Sequence, residues 1–278
     1  IPQHRLPSEE AEPLMEAGQI VAYAQLAVKE KKCCGHCADN MAKAQNGKKV
    51  KAKLIDKKGE EDITVTTPDL TVKVNRTTGL ISEYTYRGKS LLGEGGTLKP
   101  NFWRAPTDND YGASLQKEMR VWKNPQMTLK SFDKNVSKDN VVLTALFDMP
   151  EVKAQLMLRY DISAAGEVNV TQKMTTDKEV QVADLFRFGL QLQMPATFSK
   201  LEYYGRGPEE NYVDRHSSAF IGKYESDVKD EYYPYIRPQE SGNHTDIRYF
   251  SIFNPTTGKG DYLLRGMNLW SAVPSLIW

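Results

Sequence analysis

From Ile63 onward the chain is written in short runs that alternate apolar and polar residues, the period of a half-buried β-strand. Ile63–Thr67 and Leu70–Val74 flank Pro68-Asp69, and a turn at Asn75–Gly79 precedes Leu80–Tyr86. The same pattern predicts strands at Val141–Phe147, Gln155–Tyr160, Val168–Met174, Leu185–Gln193, Leu201–Tyr204, Tyr249–Phe253 and Tyr262–Arg265. Asp139-Asn140, Ala165-Gly166, Met194-Pro195 and Asn254-Pro255 separate them with turn residues. One helix is expected, over Ala113–Trp122. Many short strands without interleaved helices predict a large antiparallel sandwich. Phe102, Trp103, Trp122, Leu190 and Leu192 are its expected core positions.

The first sixty residues read differently. Ser8, Glu9 and Glu10 could open a short helix that Pro13 stops, and Gln19–Val28 alternates as a strand. Residues 31–62 carry many lysines and little periodicity, which predicts a linker. All three cysteines fall in Cys33-Cys34-Gly35-His36-Cys37, a spacing too tight to set four ligands around one zinc ion, so no metal site and no disulfide framework is expected.

Composition narrows the function. Lys+Arg of 37 against Asp+Glu of 36 leaves a net charge of +1, which steers the chain neither to nucleic acid nor to anionic lipid. The Lys48–Lys58 run has no aromatic residues, and Asp56, Glu60, Glu61 and Asp62 balance it, so it reads as a solvated segment. No apolar run approaches the ~20 residues of a membrane span. The beginning, Ile-Pro-Gln-His-Arg, lacks both a methionine and the basic-then-apolar order of a signal peptide, and reads as the start of an excised fragment.

Candidate chemistry concentrates in three stretches. Asn101-Phe-Trp-Arg-Ala-Pro-Thr-Asp-Asn-Asp-Tyr-Gly112 carries Arg104, Asp108, Asn109 and Asp110; Pro106 restricts its own φ and pushes Ala105 toward extended backbone. Tyr203-Tyr-Gly-Arg-Gly-Pro-Glu-Glu-Asn-Tyr-Val-Asp-Arg215 carries Arg206, Glu210, Asn211, Asp214 and Arg215. The stretch from Tyr232 to Arg248 carries Gln239, Glu240 and Asn243. Arginines, carboxylates and amides bind sugar hydroxyls while aromatic faces stack on sugar rings, so the three could line a carbohydrate groove. The same residue types equally make an ion-pair and amide network that ties loops to a sandwich. In that reading Arg104 and Arg215 pair with Asp108, Asp110 or Asp214.

Together the stretches resemble a known family. Phe102-Trp-Arg-Ala-Pro-Thr-Asp-Asn-Asp-Tyr-Gly112, Tyr204-Gly-Arg-Gly-Pro-Glu-Glu-Asn-Tyr-Val-Asp-Arg215 and Pro234-Tyr-Ile-Arg-Pro-Gln-Glu-Ser-Gly-Asn-His-Thr-Asp246 are similar, in this order, to signatures of the C-terminal small-chain domain of family 2 glycoside hydrolases, the β-galactosidases. The resemblance covers residues 63–278, and Gln19–Val28 resembles the last strand of the immunoglobulin-like domain that precedes it. It implies an all-β fold, a large antiparallel β-supersandwich of the galactose mutarotase-like kind, with residues 1–30 a remnant of the preceding domain and 31–62 a linker. Ser241 stands where asparagine is commoner, and the expected domain is truncated after Trp278.

The resemblance further implies a parent that hydrolyses terminal β-D-galactosides with retention, through two glutamates on a separate barrel domain. No catalytic residue is expected here. Asp108 with Asp110, and Glu209 with Glu210, are neighbours on single loops and do not face each other across a sugar. His216 and His244 read as hydrogen-bonding loop residues. Implied partners are the remaining domains of the parent, a galactoside or other carbohydrate, and further copies of the chain; any Mg or Na ion belongs to the parent rather than to this chain. Cytoplasm and periplasm both stay open. A stand-alone carbohydrate-binding module and a ligand-free scaffold are the rival readings.

Overall fold

In the computed structural model of this protein, residues 3–5, 16–24, 51–176, 182–257 and 264–265 are described. The chain divides into two compact units, Ile1–Lys49 and Val50–Trp278. In the first, β1 (Gln3–Arg5) pairs antiparallel with β2 (Ile20–Tyr23). This is the strand expected at Gln19–Val28, of which residues 25–28 lie outside the described residues, as do the Ser8–Pro13 helix start and the Cys33–Cys37 cluster.

The second unit is all-β and antiparallel. A seven-stranded sheet holds β3 (Lys53–Ile55), β4 (Asp62–Thr66), β5 (Leu70–Asn75), β6 (Ile81–Tyr86), the short β7 (Lys89–Ser90), β8 (Leu98–Asn101) and, arriving later in the chain, β13 (Gly189–Leu192). A four-stranded meander is built from β9 (Thr128–Val136), β10 (Asn140–Met149), β11 (Ala154–Ser163) and β12 (Val168–Thr176). A second four-stranded sheet runs β15 (Phe220–Asp227), β14 (Lys200–Gly207), β16 (Tyr249–Phe253) and β17 (Leu264–Arg265).

Period-two burial is the cause of the sandwich. β5 buries Leu70, Val72 and Val74; β10 buries Val141, Leu143, Ala145, Phe147 and Met149; β11 buries Leu156, Leu158, Tyr160 and Ile162. These rows form one core between the seven-stranded sheet and the meander, joined by Phe102 and Trp122. Each fully buried aliphatic side chain contributes roughly 1.5–3 kcal/mol of transfer free energy. A smaller core of Leu91, Phe198, Leu201, Tyr203, Ile247 and Ile252 belongs to the third sheet, and Tyr84 and Tyr86 of β6 pack against both.

Several expectations need correction. The linker predicted over 31–62 ends early, because Lys53–Ile55 pairs with β4 as an edge strand. Lys51 and Lys53 are exposed there, and lysine on an edge strand discourages pairing with another chain. The single helix over Ala113–Trp122 is instead α1 (Asp108–Gly112), α2 (Leu115–Glu118) and a 3₁₀ turn at Arg120–Trp122. Ser114, at φ +62°, breaks the helical path. Strand β9 escapes the alternation rule because a bulge sets Leu129 opposite Phe147 and Ser131 opposite Leu146, leaving Lys130 between them. Among the expected core residues Phe102 and Trp122 are buried, Trp103 and Leu192 half-buried, and Leu190 is 37% exposed on the edge strand β13.

Gly79 shows how tightly the main core closes. Its φ is +67°, its carbonyl accepts from the Tyr160 hydroxyl at 3.1 Å, and a Cβ there would stand 2.9 Å from Ala145, Leu129 and Phe147. Gly88, at φ +77°, has open space around it. Gly79→Ala is therefore expected to cost roughly 1–3 kcal/mol through overpacking as well as backbone strain, and Gly88→Ala less, from backbone strain alone. Urea unfolding of the two variants checks this. Equal losses would remove the packing argument.

Candidate functional site

The first motif does not form an open loop. Thr107 caps α1: its hydroxyl accepts from the Asp110 amide at 3.4 Å, and Asp110 Oδ2 accepts from the Thr107 amide at 2.7 Å. This box turns Asp110 inward and leaves Asp108 and Asn109 exposed. Arg104, just after β8, donates to both Asp110 oxygens, at 2.5 Å to Oδ2 and 3.2 Å to Oδ1. Its guanidinium also lies 4.7 Å from the Phe186 ring centroid, and Trp103 meets that ring edge-on at 4.9 Å.

Arg104 reaches the third motif as well. Its Nε stands 3.3 Å from Glu240 Oε2, and Arg187 pairs with Glu240 Oε1. The Asp108 amide donates to Gln239 Oε1 at 3.1 Å, and the Asp108 carboxylate pairs with Arg237 at 3.2 Å. Arg237 in turn lies over the Tyr111 ring at 4.7 Å. The two aspartates therefore differ in kind: the Asp110 side chain is 8% exposed and held in a fork, whereas the Asp108 side chain is 58% exposed and faces Arg237, which is 60% exposed. Only the first makes a buried anchor.

The second and third motifs are joined through Glu210, Asn211 and Arg206. Glu210 accepts from Arg215 at 2.6 Å and from the Gly242 amide at 2.7 Å, and it also accepts from the Tyr235 hydroxyl. Asn211 uses its whole amide: Nδ2 donates to the carbonyls of Arg206 and Glu209, while Oδ1 accepts from the Thr245 amide at 2.9 Å and hydroxyl at 2.6 Å. Asn243 donates to the Asn211 carbonyl at 2.7 Å. Arg206 pairs with Asp246 at 2.5 Å and donates to the carbonyls of His216 and Ala219. Buried His244 stacks on Tyr203 at 4.4 Å, with Nε2 2.7 Å from Glu231 and Nδ1 3.1 Å from the Tyr203 hydroxyl.

Burial raises the carboxyls of Asp110 and Glu210, but their hydrogen bonds more than offset it. Arg104 and the Thr107 amide hold Asp110 below its ordinary value; Tyr235, Arg215 and the Gly242 amide do the same for Glu210. Glu240 moves the other way, because its burial outweighs the pull of Arg187 and Arg104. Its Oε2 makes no well-aligned hydrogen bond, and neither does the buried hydroxyl of Tyr212.

Of the twelve sequence-predicted residues, Arg104, Asp110 and Glu240 form one cluster, with Asp108 and Gln239 at its edge. Glu210, Asn211, Arg215, Asn243 and Arg206 form the other. Arg215 pairs with Glu210 and not with Asp214, which stands exposed, like Asn109, outside both clusters. Sequence reasoning missed Arg187, Phe186 and Glu231. Arg187 sits between two phenylalanines in Phe186-Arg-Phe188, and an arginine among aromatics near a strand start was the available signal. His244 bonds through its ring as expected; His216 contributes its backbone carbonyl, and its Nδ1 finds no partner. Among the described residues, no group of three or more His, Cys, Asp or Glu side chains could hold a metal ion.

A family model described as beta galactosidase small chain matches residues 66–274. The β-galactosidase of Priestia megaterium (strain DSM 319 / IMG 1521) is 33% identical over 212 residues, covering 75% of this chain and 20% of the relative. That of Lactobacillus delbrueckii subsp. bulgaricus is 34% identical over 177 residues, covering 62% and 17%. That of Streptococcus thermophilus is 31% identical over 206 residues, covering 73% and 20%. The chain thus spans about a fifth of the length of the curated relatives it matches.

The two depressed carboxyls carry a pH dependence. A carboxylate whose pKa is lower when folded stabilises the fold above its unfolded value, about 4, and that contribution fades as the pH falls through the lower folded value. The melting temperature is expected to fall below about pH 4 partly on this account. Glu210→Gln should melt lower than the parent chain at pH 7 and show a shallower acid limb. Parallel acid limbs for the two proteins would contradict the assignment.

Proposed function

Because this chain belongs to the β-galactosidase small-chain family, we propose that it is the non-catalytic β-sandwich portion of a retaining β-galactosidase of the glycoside hydrolase family 2 type. In this reading the parent hydrolyses terminal β-D-galactosides, and this portion shapes the rim of the carbohydrate pocket and holds the assembly together.

One observation carries the proposal: the three motifs spend their buried carboxylates on one another. A retaining glycosidase needs an acid/base and a nucleophile about 5–5.5 Å apart, both open to the sugar. Asp110 is forked by Arg104, and Glu210 is enclosed by Arg215, Tyr235 and the Gly242 amide. Both carboxyls are depressed, the wrong direction for a general acid. Glu240 is raised, but it stands between two guanidiniums at 3% side-chain exposure, out of reach of a glycosidic oxygen. Asp108 pairs with Arg237, and Asp214 stands exposed outside both clusters. The same reading assigns any magnesium or sodium ion to the remainder of the parent, since Arg104, Arg187 and Arg215 stand among the motif carboxylates and repel a cation.

Nitrophenyl β-galactoside hydrolysis tests both halves. The parent enzyme should turn the substrate over, and this chain alone should not exceed the buffer rate. Turnover by the chain alone would overturn the non-catalytic assignment; a parent inactive on β-galactosides would overturn the galactosidase reading.

A further inference from the structure

The His244 side chain is 1% exposed, and both of its ring nitrogens are in hydrogen-bond contact. Nε2 stands 2.7 Å from Glu231 Oε2, at the end of the 3₁₀ turn Val228–Glu231 that follows β15. Nδ1 stands 3.1 Å from the Tyr203 hydroxyl of β14 and 3.2 Å from the Arg206 carbonyl. The ring itself stacks on Tyr203 at 4.4 Å. The turn and the third motif meet without a gap: a Cβ on Gly242, at φ +75°, would stand 2.4 Å from the Glu231 carbonyl oxygen.

The acceptors around the ring fix its protons. Carbonyl and carboxylate oxygens only accept, so the Arg206 carbonyl demands a proton on Nδ1 and the Glu231 carboxylate one on Nε2. Glu231 is already served as an anion, since its Oε1 accepts from the Ser226 hydroxyl. Tyr203 does not compete for the Nδ1 lone pair. Its hydroxyl has one proton, the Pro208 carbonyl stands 3.2 Å away to receive it, and the Tyr203 oxygen is left to accept from Nδ1. Burial pushes the Tyr203 phenol upward and Glu231 adds to the effect, so that proton stays on the phenol. A neutral ring would turn a bare lone pair toward the Arg206 carbonyl or toward Glu231, in a place water does not reach.

We propose that His244 is a buried imidazolium whose second proton operates a switch between the second and third motifs. Charged, the ring donates to Glu231 and to the Arg206 carbonyl, and Tyr203 donates to Pro208. When the Nδ1 proton leaves to solvent, Nδ1 takes the Tyr203 proton instead, Nε2 keeps its bond to Glu231, and the carbonyls of Pro208 and Arg206 lose these partners. The surrounding groups favour the charged form. Glu231 of the turn and Glu209 of the loop after β14, whose charges both act on the Tyr203 phenol, attract a cation beside it. Tyr203 and Tyr224 of β15, with ring centroids 5.5 Å apart, are phenols. The Arg206 guanidinium is held by Asp246, from the segment of His244 itself, and by the carbonyls of His216 and Ala219. The switch acts where the two motifs meet. The Arg206 carbonyl also accepts from Asn211 Nδ2 at 3.1 Å, and Asn211 Oδ1 holds Thr245, the next residue after His244.

Nitrogen-15 NMR of the histidine rings in this chain tests the assignment without substitution. His244 is recognised among the four histidines by its contacts to the Tyr203 ring. At pH 7 both of its ring nitrogens are expected to carry protons. A single protonated nitrogen would overturn the imidazolium. Raising the pH until the second proton leaves should then shift the Tyr203 ring signals at the same midpoint. The Tyr160 ring, whose hydroxyl bonds the Gly79 carbonyl in the other core, should not move. Tyr203 signals that ignore the step, or a chain that unfolds before the proton leaves, would overturn the switch. Glu231→Gln supplies a second arm: with the carboxylate gone, His244 should hold one ring proton at pH 7. A ring still doubly protonated in that variant would remove Glu231 as its counter-ion and overturn the pairing.

Discussion

Arg104 forms ion pairs with two carboxylates, the nearby Asp110 in α1 and the distant Glu240 on the loop before Gly242. That double hold is what the candidate site depends on. Arg104 leaves the end of β8 in the seven-stranded sheet, while Glu240 belongs to the loop that feeds β16 of the third sheet, so one side chain ties two sheets at their loop ends. Arg187 doubles the tie from the start of β13. On the other side, Glu210 and Asn211 fasten the loop after β14 to the same Glu240–Thr245 segment.

Burying these charges is expensive, and ion pairs of this kind roughly offset the cost of removing them from water. Their value lies in geometry. A guanidinium fork permits one relative placement of its partners, and an amide with every donor and acceptor used permits one backbone path. The apolar cores supply the stability, and the network decides how the loops above them are held.

Much of this was legible in the sequence. Strands whose burial is strictly alternate, such as β5, β10 and β11, announce themselves, because one face must be apolar along its whole length. Strands that are short, bulged or at an edge do not: β3 hides among lysines, β9 is interrupted by its bulge, and β15 alternates weakly, with only Ile221 buried. The motifs offered Arg104 three carboxylate partners, Asp108, Asp110 and Asp214, and Asp110 is the one it holds. What they could not supply is partner choice over long separations. Nothing local tells Arg215 to choose Glu210 over the neighbouring Asp214, or Glu240 to take Arg187 from outside any motif; tertiary placement decides both.

The central claim is that the three motifs act as one structural network. A double-mutant cycle on Arg104→Met and Glu240→Gln, read by thermal and urea unfolding, tests it most directly. Each single change should destabilise the chain, because it strands a buried charged or polar partner, and the double should lose less than the sum by roughly 1–3 kcal/mol. Losses that simply add, each within about 0.5 kcal/mol of zero, would show that the motifs are not coupled through this arginine.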